Sequence, residues 1–299
     1  MNTTPEKALG RLGLTARGGA DPLIKGITVD SRAVGAGFLF AALPGSVVHG
    51  ASFIKAALDQ GAAAILTDAQ GAKLAADDLD NGHAALVVVE DPRQALAYAA
   101  ALWFGAHPQT AVAITGTNGK TSVATFVRQI WEELGHAAVN LGTTGVEGAW
   151  SYPLAHTTPD PITLHKALAL AVENGVTHVA MEASSHGLDQ RRMDGVRLAA
   201  AGFTNFSQDH LDYHKTFEAY FAAKAGLFRR VLPDEGVAVI NVDTPRGDEM
   251  RAIAGARGQE VITVGRGLGD LNLLGQRFDA TGQDMRFAWH DTPFQARLS

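Results

Sequence analysis

The stretch that most constrains this chain is Thr110-Ala-Val-Ala-Ile-Thr115-Gly116-Thr117-Asn118-Gly119-Lys120-Thr121-Ser122. An apolar, β-branched run ends in a glycine-rich turn. The turn opens an amphipathic segment in which Val123, Phe126, Val127, Ile130, Trp131 and Leu134 recur at helical spacing, with Gly135 placed as a C-terminal stop. A strand, a glycine turn and a helix start in that order predict an anion cradle. The loop amides point inward, and the helix N-terminus adds partial positive charge. In such a cradle Lys120 reaches the outer phosphates of a nucleotide and the Thr121 hydroxyl ligates Mg2+. The longer form of the motif has Gly at position 114, where this chain has Ile114. The loop is therefore the shorter Gly-Thr-Asn-Gly-Lys-Thr, a pattern that ordinary loops also produce by chance.

The chain has 299 residues, enough for two domains with their own cores. Its 25 basic against 31 acidic residues leave a net charge of −6, with no basic excess to suit nucleic acid or an anionic membrane. The absence of cysteine removes disulfides, thiol nucleophiles and cysteine zinc sites together. The N-terminal Met1-Asn-Thr-Thr-Pro-Glu-Lys has no apolar signal core. The longest apolar run, Ala95 to Ala106, is too short to span a bilayer. These features predict a cytoplasmic enzyme.

Residues 1–106 read as a small α/β domain: strands at Gly26–Arg32, Gly37–Gly45, Ala63–Thr67 and Ala85–Val89, a helix over Ala51–Gln60, and a helix from Pro92 to Phe104. Gly105-Ala-His-Pro108 marks the boundary, because Gly and Pro break the helix. From 107 to 299 strands alternate with helices. Strands are expected at Ala137–Gly142, Val176–Glu182, Leu198–Thr204 and Gly236–Val242. A helix is expected to start at Asp160-Pro161 and stop at Gly175, and another covers Thr216–Val231. Strict alternation implies a parallel sheet covered on both faces, with ligands at the C-terminal ends of its strands. Residues 277–289 read as an antiparallel hairpin turning at Thr281-Gly282.

Several strand ends carry chemistry. Glu182 closes the buried pattern Val176-Thr-His-Val-Ala-Met-Glu, where a Mg2+-phosphate enzyme places a metal ligand and where a solvated strand end also falls. Asn205-Phe-Ser-Gln-Asp209-His210-Leu-Asp212-Tyr-His214 gathers carboxylates and imidazoles after another strand end. Lys224 lies on the stripe of Phe217, Phe221 (or Tyr220), Phe228 and Val231. An ammonium there is costly unless paired or altered. Either it snorkels to the surface, or its desolvated amine takes up CO2 as a carbamate that binds Mg2+ beside Glu182 and His210. The loops Thr157-Thr158-Pro159 and Ser184-Ser185-His186-Gly187-Leu-Asp-Gln190-Arg191-Arg192 offer hydroxyls, an amide and guanidiniums suited to an anionic, polyhydroxylated ligand, and also suit plain loop polarity.

Together, Gly-Thr-Asn-Gly-Lys-Thr, Met-Glu-Ala-Ser-Ser-His, Asn-x-x-x-Asp-His-Leu-Asp-Tyr-His and Ala-Ala-Lys resemble the Mur ligase family over essentially the whole chain. The likeness is greatest to members that add the third residue of the peptidoglycan stem. It implies an N-terminal uridine-binding α/β domain, with Val29-Asp30-Ser31-Arg32 and Phe40-Ala-Ala-Leu-Pro-Gly45 as its marks, and a central P-loop-type parallel-sheet ATPase domain. It further implies that Gly116, Thr117, Asn118, Gly119, Lys120, Thr121 and Ser122 hold ATP. The resemblance likewise implies that Thr121, Glu182, His210 and a carbamylated Lys224 hold Mg2+, and that Ser31, Thr157, Thr158, Ser184, Gln190 and Arg192 hold the nucleotide-sugar peptide. His156 stands where the family has Asn. The implied substrates are ATP, UDP-N-acetylmuramoyl-L-alanyl-D-glutamate and an amino acid, meso-diaminopimelate in preference to L-lysine, acted on by a monomer without nucleic acid or membrane. The rival readings are another ligase of the superfamily, such as a folylpolyglutamate synthase, and a non-catalytic nucleotide-sugar binder. Family members carry a third, Rossmann-like domain after the point where this chain stops, which predicts a fragment without ligase activity on its own.

Overall fold

The computed structural model describes residues 6–45, 47–207, 211–267 and 269–298. The chain divides into two compact units. One comprises Met1–Ala106, Asp160–Ala169 and Gln190–Gly195; the other comprises His107–Pro159, Leu170–Asp189 and Val196–Ser299.

In the first unit a short antiparallel pair, β1 (Lys7–Ala8) and β2 (Leu23–Ile24), precedes a parallel sheet of β3 (Gly26–Thr28), β4 (Phe38–Ala41), β5 (Ala64–Thr67) and β6 (Ala85–Val88) in that order. The helices are α1 (Ile54–Asp59), α2 (Ala69–Leu74), α3 (Ala76–Asp80) and α4 (Pro92–Phe104). Period-2 alternation sorts the strand side chains into two cores. Leu39, Ala41, Ala64, Leu66 and Val87 face Leu96, Ala99 and Trp103 of α4. Phe40, Ala42 and Ile65 face Ile54 and Ala57 of α1. Burying each of the larger side chains contributes roughly 1.5–3 kcal/mol, enough to close both faces of so small a sheet. Helix α4 begins where Asp91 accepts from the Gln94 amide with Pro92 in the first turn, and it stops at Gly105. The segment expected as one helix over Ala51–Gln60 instead opens with a 3-10 turn, Gly50–Phe53, in which the Ser52 amide donates to the His49 carbonyl three residues back and the His49 ring caps the Ala51 amide. The Asp30-Ser31-Arg32 motif closes on itself: Asp30 accepts from the amide and guanidinium of Arg32 at 2.8–2.9 Å. Those bonds hold its carboxyl down at about 2.

The second unit contains β7 (Thr110–Thr115), α5 (Lys120–Glu133), β8 (Ala138–Gly142), β9 (Gly145–Gly148), the end of α6 (Pro161–Glu173), β10 (His178–Glu182), α7 (Ser185–Asp189), β11 (Ala200–Phe203), α8 (Leu211–His214), α9 (Phe217–Gly226), β12 (Val237–Asn241), α10 (Gly247–Gly255), β13 (Glu260–Gly265), β14 (Leu271–Asp279), β15 (Gly282–Trp289) and β16 (Thr292–Leu298). Among the described residues they build one sheet in the order β16-β15-β14-β13-β12-β11-β7-β10-β8-β9. Strands β8, β10, β7, β11, β12, β13 and β14 run parallel, while β9 and the β15–β16 pair are antiparallel edges. Strand β7 is flanked by β10 on one side and β11 on the other, so the strand order reverses at its C-terminal end. That is where open α/β sheets bind ligands.

Three expectations are corrected here. The apolar stripe of α5 is not all buried. Ala124 packs on Ile114 and Ala180, with Val123, Val127 and Trp131 beside it, while Phe126, Ile130 and Leu134 are exposed, forming a second stripe at i, i+4 and i+8. The helix expected over Thr216–Val231 is α-helical only to Gly226. Leu227–Val231 is a π turn closed by the Leu232 amide on the Leu227 carbonyl, which keeps Phe228 and Val231 buried. The C-terminal hairpin is longer than expected and gains β16, which reads weakly because few of its residues are buried.

At the opposite end of β10, His178 stacks on His136 at 4.1 Å and tilts against Trp131 at 5.0 Å. Burial, then the charge of His136, push its pKa below the usual imidazole value. Burial chiefly does the same to His107. Both rings give up their protons more readily in the fold than in the unfolded chain. Their contribution is therefore whole above the unfolded value of about 6.5 and is lost as pH falls below it. Thermal midpoints measured from pH 7.5 to 5.5 should fall, by at most about 1.4 kcal/mol per pH unit for each group. His178→Phe should flatten the profile, and an unchanged slope would assign the acid sensitivity elsewhere.

Candidate functional site

Four parallel strands of the second unit end at one place: β7 at Thr115, β10 at Glu182, β8 at Gly142 and β11 at Phe203. The loop Gly116–Gly119 leaves β7 there and enters α5 at Lys120. Ile114, which takes the place of the longer motif's Gly, is 3% exposed and packs in the sheet core, so the loop is necessarily the short form. The first-turn amides of α5 have no carbonyl four residues earlier inside the helix, which leaves them for an anion.

Glu182 is 2% exposed, and both of its carboxylate oxygens are engaged. Oε2 accepts from the Thr121 hydroxyl at 2.9 Å, and Oε1 accepts from the Thr143 amide at 2.9 Å. Two donors offset much of the cost of burying the carboxylate. Thr121 and Glu182, 61 residues apart, thus form one oxygen pair at the end of the loop. Thr143, unremarked in the sequence, also pairs its hydroxyl with that of Thr157 at 3.1 Å. Thr158 is buried, donates to the Glu182 carbonyl at 2.9 Å and accepts from the Ser184 amide at 3.0 Å. The Ser184 hydroxyl accepts from the Gly187 amide at 3.1 Å. These bonds anchor the segment after β10 to the loop around Thr157.

The lysines converge. Lys120 Nζ turns back onto the loop, donating to the Gly116 carbonyl at 3.0 Å and the Thr117 carbonyl at 2.8 Å. Lys224, 1% exposed, donates to the same Gly116 carbonyl at 2.6 Å and lies 4.5 Å from the centre of the Tyr220 ring. The Tyr220 hydroxyl reaches Thr117 Oγ1 at 3.3 Å. Lys224 therefore sits against the glycine loop and does not snorkel to solvent. Not every loop amide points inward: the Thr117 amide donates to the Asn205 carbonyl at 3.0 Å and the Asn118 amide to Asn205 Oδ1 at 2.9 Å. Ser122 is exposed in the first turn of α5. His210 lies outside the described residues. Among the described residues, no cluster of three or more His, Asp or Glu side chains is placed to hold a metal. A groove of about 520 Å3 opens beside Gly119 and Asn205, floored by Ile114, Val239, Val264 and Leu273 and rimmed by Asn241 and Arg266.

The remaining candidates fall in the first unit. Gln190 Oε1 accepts from Arg192 Nη2 at 2.8 Å, and both residues line a cavity of about 150 Å3 with Val29, Leu43, Arg93 and Asp160. Arg93, which the sequence did not flag, also donates to the Pro44 carbonyl. The Ser31 carbonyl accepts from the Gln60 amide group at 2.7 Å. His156 is exposed.

The profile of the Mur ligase middle domain matches residues 114–298, more than half of the chain. The chain belongs to the Mur ligase family. A second profile, described as the Mur ligase family catalytic domain, matches residues 23–103. Among Mur ligases of known name, the UDP-N-acetylmuramoyl-L-alanyl-D-glutamate--2,6-diaminopimelate ligase of Caulobacter vibrioides is 47% identical over 272 residues, 89% of this chain and 54% of that protein. The enzyme of the same name from Agrobacterium fabrum is 51% identical over 245 residues, 81% of this chain and 48% of that protein. A solved structure bearing that name superposes with a TM-score of 0.77 at 29% identity, over 91% of this chain and 55% of that one. The chain thus spans about half the length of the curated relatives it matches. No helix among the described residues is long and apolar enough to cross a membrane.

Proposed function

We propose that this chain carries the nucleotide- and metal-binding part of an ATP-dependent amide ligase. The ligase joins meso-diaminopimelate to the terminal carboxylate of UDP-N-acetylmuramoyl-L-alanyl-D-glutamate, in the cytoplasm and as a monomer. The carrying observation is the 2.9 Å contact between the Thr121 hydroxyl, at the end of the glycine loop, and the buried Glu182 carboxylate at the end of the adjoining strand. A hydroxyl and a carboxylate oxygen at the mouth of a phosphate cradle fit a hard divalent cation, whose other positions phosphate and water oxygens complete. Thr121 and Glu182 are the described residues that would hold Mg2+. When bound, the ion neutralises phosphate charge.

In this reading the substrate carboxylate attacks the γ-phosphate of ATP, giving an acyl phosphate and ADP. The amine of the amino acid then attacks the acyl carbon, forming the amide bond, losing a proton and releasing phosphate. Two anions must approach in the first step. Lys120 supplies the cation that offsets their repulsion, and the first-turn amides from Gly119 to Ser122 fix the phosphates. Gln190, Arg192 and Ser31 would hold the nucleotide-sugar, and Thr157, Thr158 and Ser184 its peptide end. Lys224 would lose one proton to become an amine, add CO2 at Nζ and release a second proton from that nitrogen. The resulting carbamate would keep one N–H for the Gly116 carbonyl and, with His210, would offer oxygen and nitrogen ligands to Mg2+. Its role is to fix a ligand position.

The test is calorimetry on this chain. ADP with Mg2+ and the UDP-sugar dipeptide should each bind. Lys120→Ala should weaken only the nucleotide, by about tenfold or more, as expected for a lost charge-assisted bond. Failure of ADP to bind the wild-type chain would overturn the nucleotide reading.

A further inference from the structure

We propose that Asn205 is a positioning residue for the phosphate loop: its carboxamide clasps both backbone groups of Asn118 and so sets which amides face the nucleotide. This inference rests on the nucleotide reading above for its consequence, though not for its geometry. Asn205 Oδ1 accepts from the Asn118 amide at 2.9 Å, and Asn205 Nδ2 donates to the Asn118 carbonyl at 3.0 Å. The neighbouring Thr204 hydroxyl donates to the same carbonyl at 2.7 Å. On the loop side, the Thr117 amide donates to the Asn205 carbonyl at 3.0 Å, and Thr117 Oγ1 accepts from the Ser207 amide at 3.0 Å. Residues 204–207 therefore grip residues 117–118 as an added strand would, through a side chain that mimics a peptide group. Asn241 holds this segment from below by donating to the Thr204 carbonyl at 2.7 Å.

The grip has a chemical consequence. A loop that cradles phosphate must keep its amides in one arrangement before the ligand arrives, because ordering them afterwards weakens binding. The Thr117 and Asn118 amides are spent on residue 205, which turns them away from the cradle. Those from Gly119 onward remain, at the helix start where the peptide dipoles add positive charge. Exposed Asn118 and Gly119 would otherwise be free to sample other turns. Asn205 has the right chemistry because its carboxamide offers a donor and an acceptor in one plane; Asp offers two acceptors and Ala neither.

Amide exchange on the chain without nucleotide tests the clasp directly. Asn205→Ala should raise the exchange rate of the Asn118 amide about tenfold, as expected for loss of its one bond to the carboxamide. Asn205→Asp, of equal size, should fail to restore slow exchange because its second oxygen faces the Asn118 carbonyl. Arg257→Ala, which breaks bonds to the Phe228 and Leu232 carbonyls elsewhere in the unit, should leave Asn118 unchanged. Slow exchange retained in Asn205→Ala, or restored by Asp, overturns the proposal. A titration with ADP and Mg2+ then separates the two readings. If exchange rises as expected but wild-type affinity is absent, the nucleotide assignment fails and the clasp stands. If wild type binds and Asn205→Ala binds equally well, the positioning role falls.

Discussion

Gly116→Ala should weaken nucleotide binding and lower the thermal midpoint together, more than any other single-methyl addition in the loop. Gly116 has φ near +150°, in a region that side chains rarely adopt. A Cβ there would lie 1.9 Å from Thr204 Oγ1 and 3.1 Å from the Asn205 amide nitrogen. Residue 116 would have to move away from β11, and its carbonyl is the shared acceptor of Lys120 and Lys224. The shift therefore disturbs both lysines and the clasp on Asn118 at once. Overpacking and backbone strain together cost about 2–4 kcal/mol. For a unit of this size that lowers the midpoint by roughly 5–15 °C. Affinity for ADP with Mg2+ should drop by about a hundredfold, the equivalent of close to 3 kcal/mol. Gly119→Ala is the comparison: φ is +82°, yet no atom lies within 4 Å of the added carbon. It should cost about 1–2 kcal/mol from strain alone. Differential scanning and calorimetry on both variants decide the matter. Equal, mild effects would mean that Gly116 is not wedged against Thr204.

Many elements were legible because their signals are local. The β-branched run into a glycine turn, the Pro-Gly that closes the strand after Phe40, and Pro161 after Asp160 each state a backbone preference within a few residues. What could not be read is what meets across the fold. The clasp joins residues 87 apart, and Lys224 finds its carbonyl 108 residues away. The stripe that placed Lys224 among aromatic side chains was visible, but its destination depended on β7 and α9 being brought together. Helix α5 shows the opposite failure. Its apolar residues cover two stripes, periodicity alone does not say which one meets the sheet, and only the Ala124 side does. The π turn at Leu227 was equally silent, since one extra residue per turn leaves no mark on a sequence already rich in apolar residues. Asn205 opens the polar stretch that the sequence marks after β11, but its carboxylates and imidazoles drew the reading, and nothing local ties Asn205 to a loop 87 residues earlier.

The second large effect concerns Lys224, whose substitution should separate stability from chemistry. Lys224→Ala removes the stem of a side chain that is 1% exposed and takes the donor from the Gly116 carbonyl. Lost packing should dominate the cost, about 2–5 kcal/mol, because the Gly116 carbonyl keeps its bond from Lys120. Lys224→Met retains the stem and fills the space beside Tyr220, so it should unfold within a few degrees of wild type while still forfeiting the bond to the loop. Neither variant can form a carbamate. With 13C-labelled bicarbonate near pH 8, the wild-type chain should show one carbamate carbon signal in the NMR spectrum that acid removes, and Lys224→Met should show none. The signal should strengthen when Mg2+ is added, because a metal that grips the carbamate oxygens draws the equilibrium toward them. A wild-type spectrum without that carbon, at saturating bicarbonate and Mg2+, would leave Lys224 as a plain ammonium. Its work would then be confined to holding the Gly116 carbonyl, and in that case Lys224→Met should shift nucleotide affinity no more than a lost hydrogen bond allows, about tenfold.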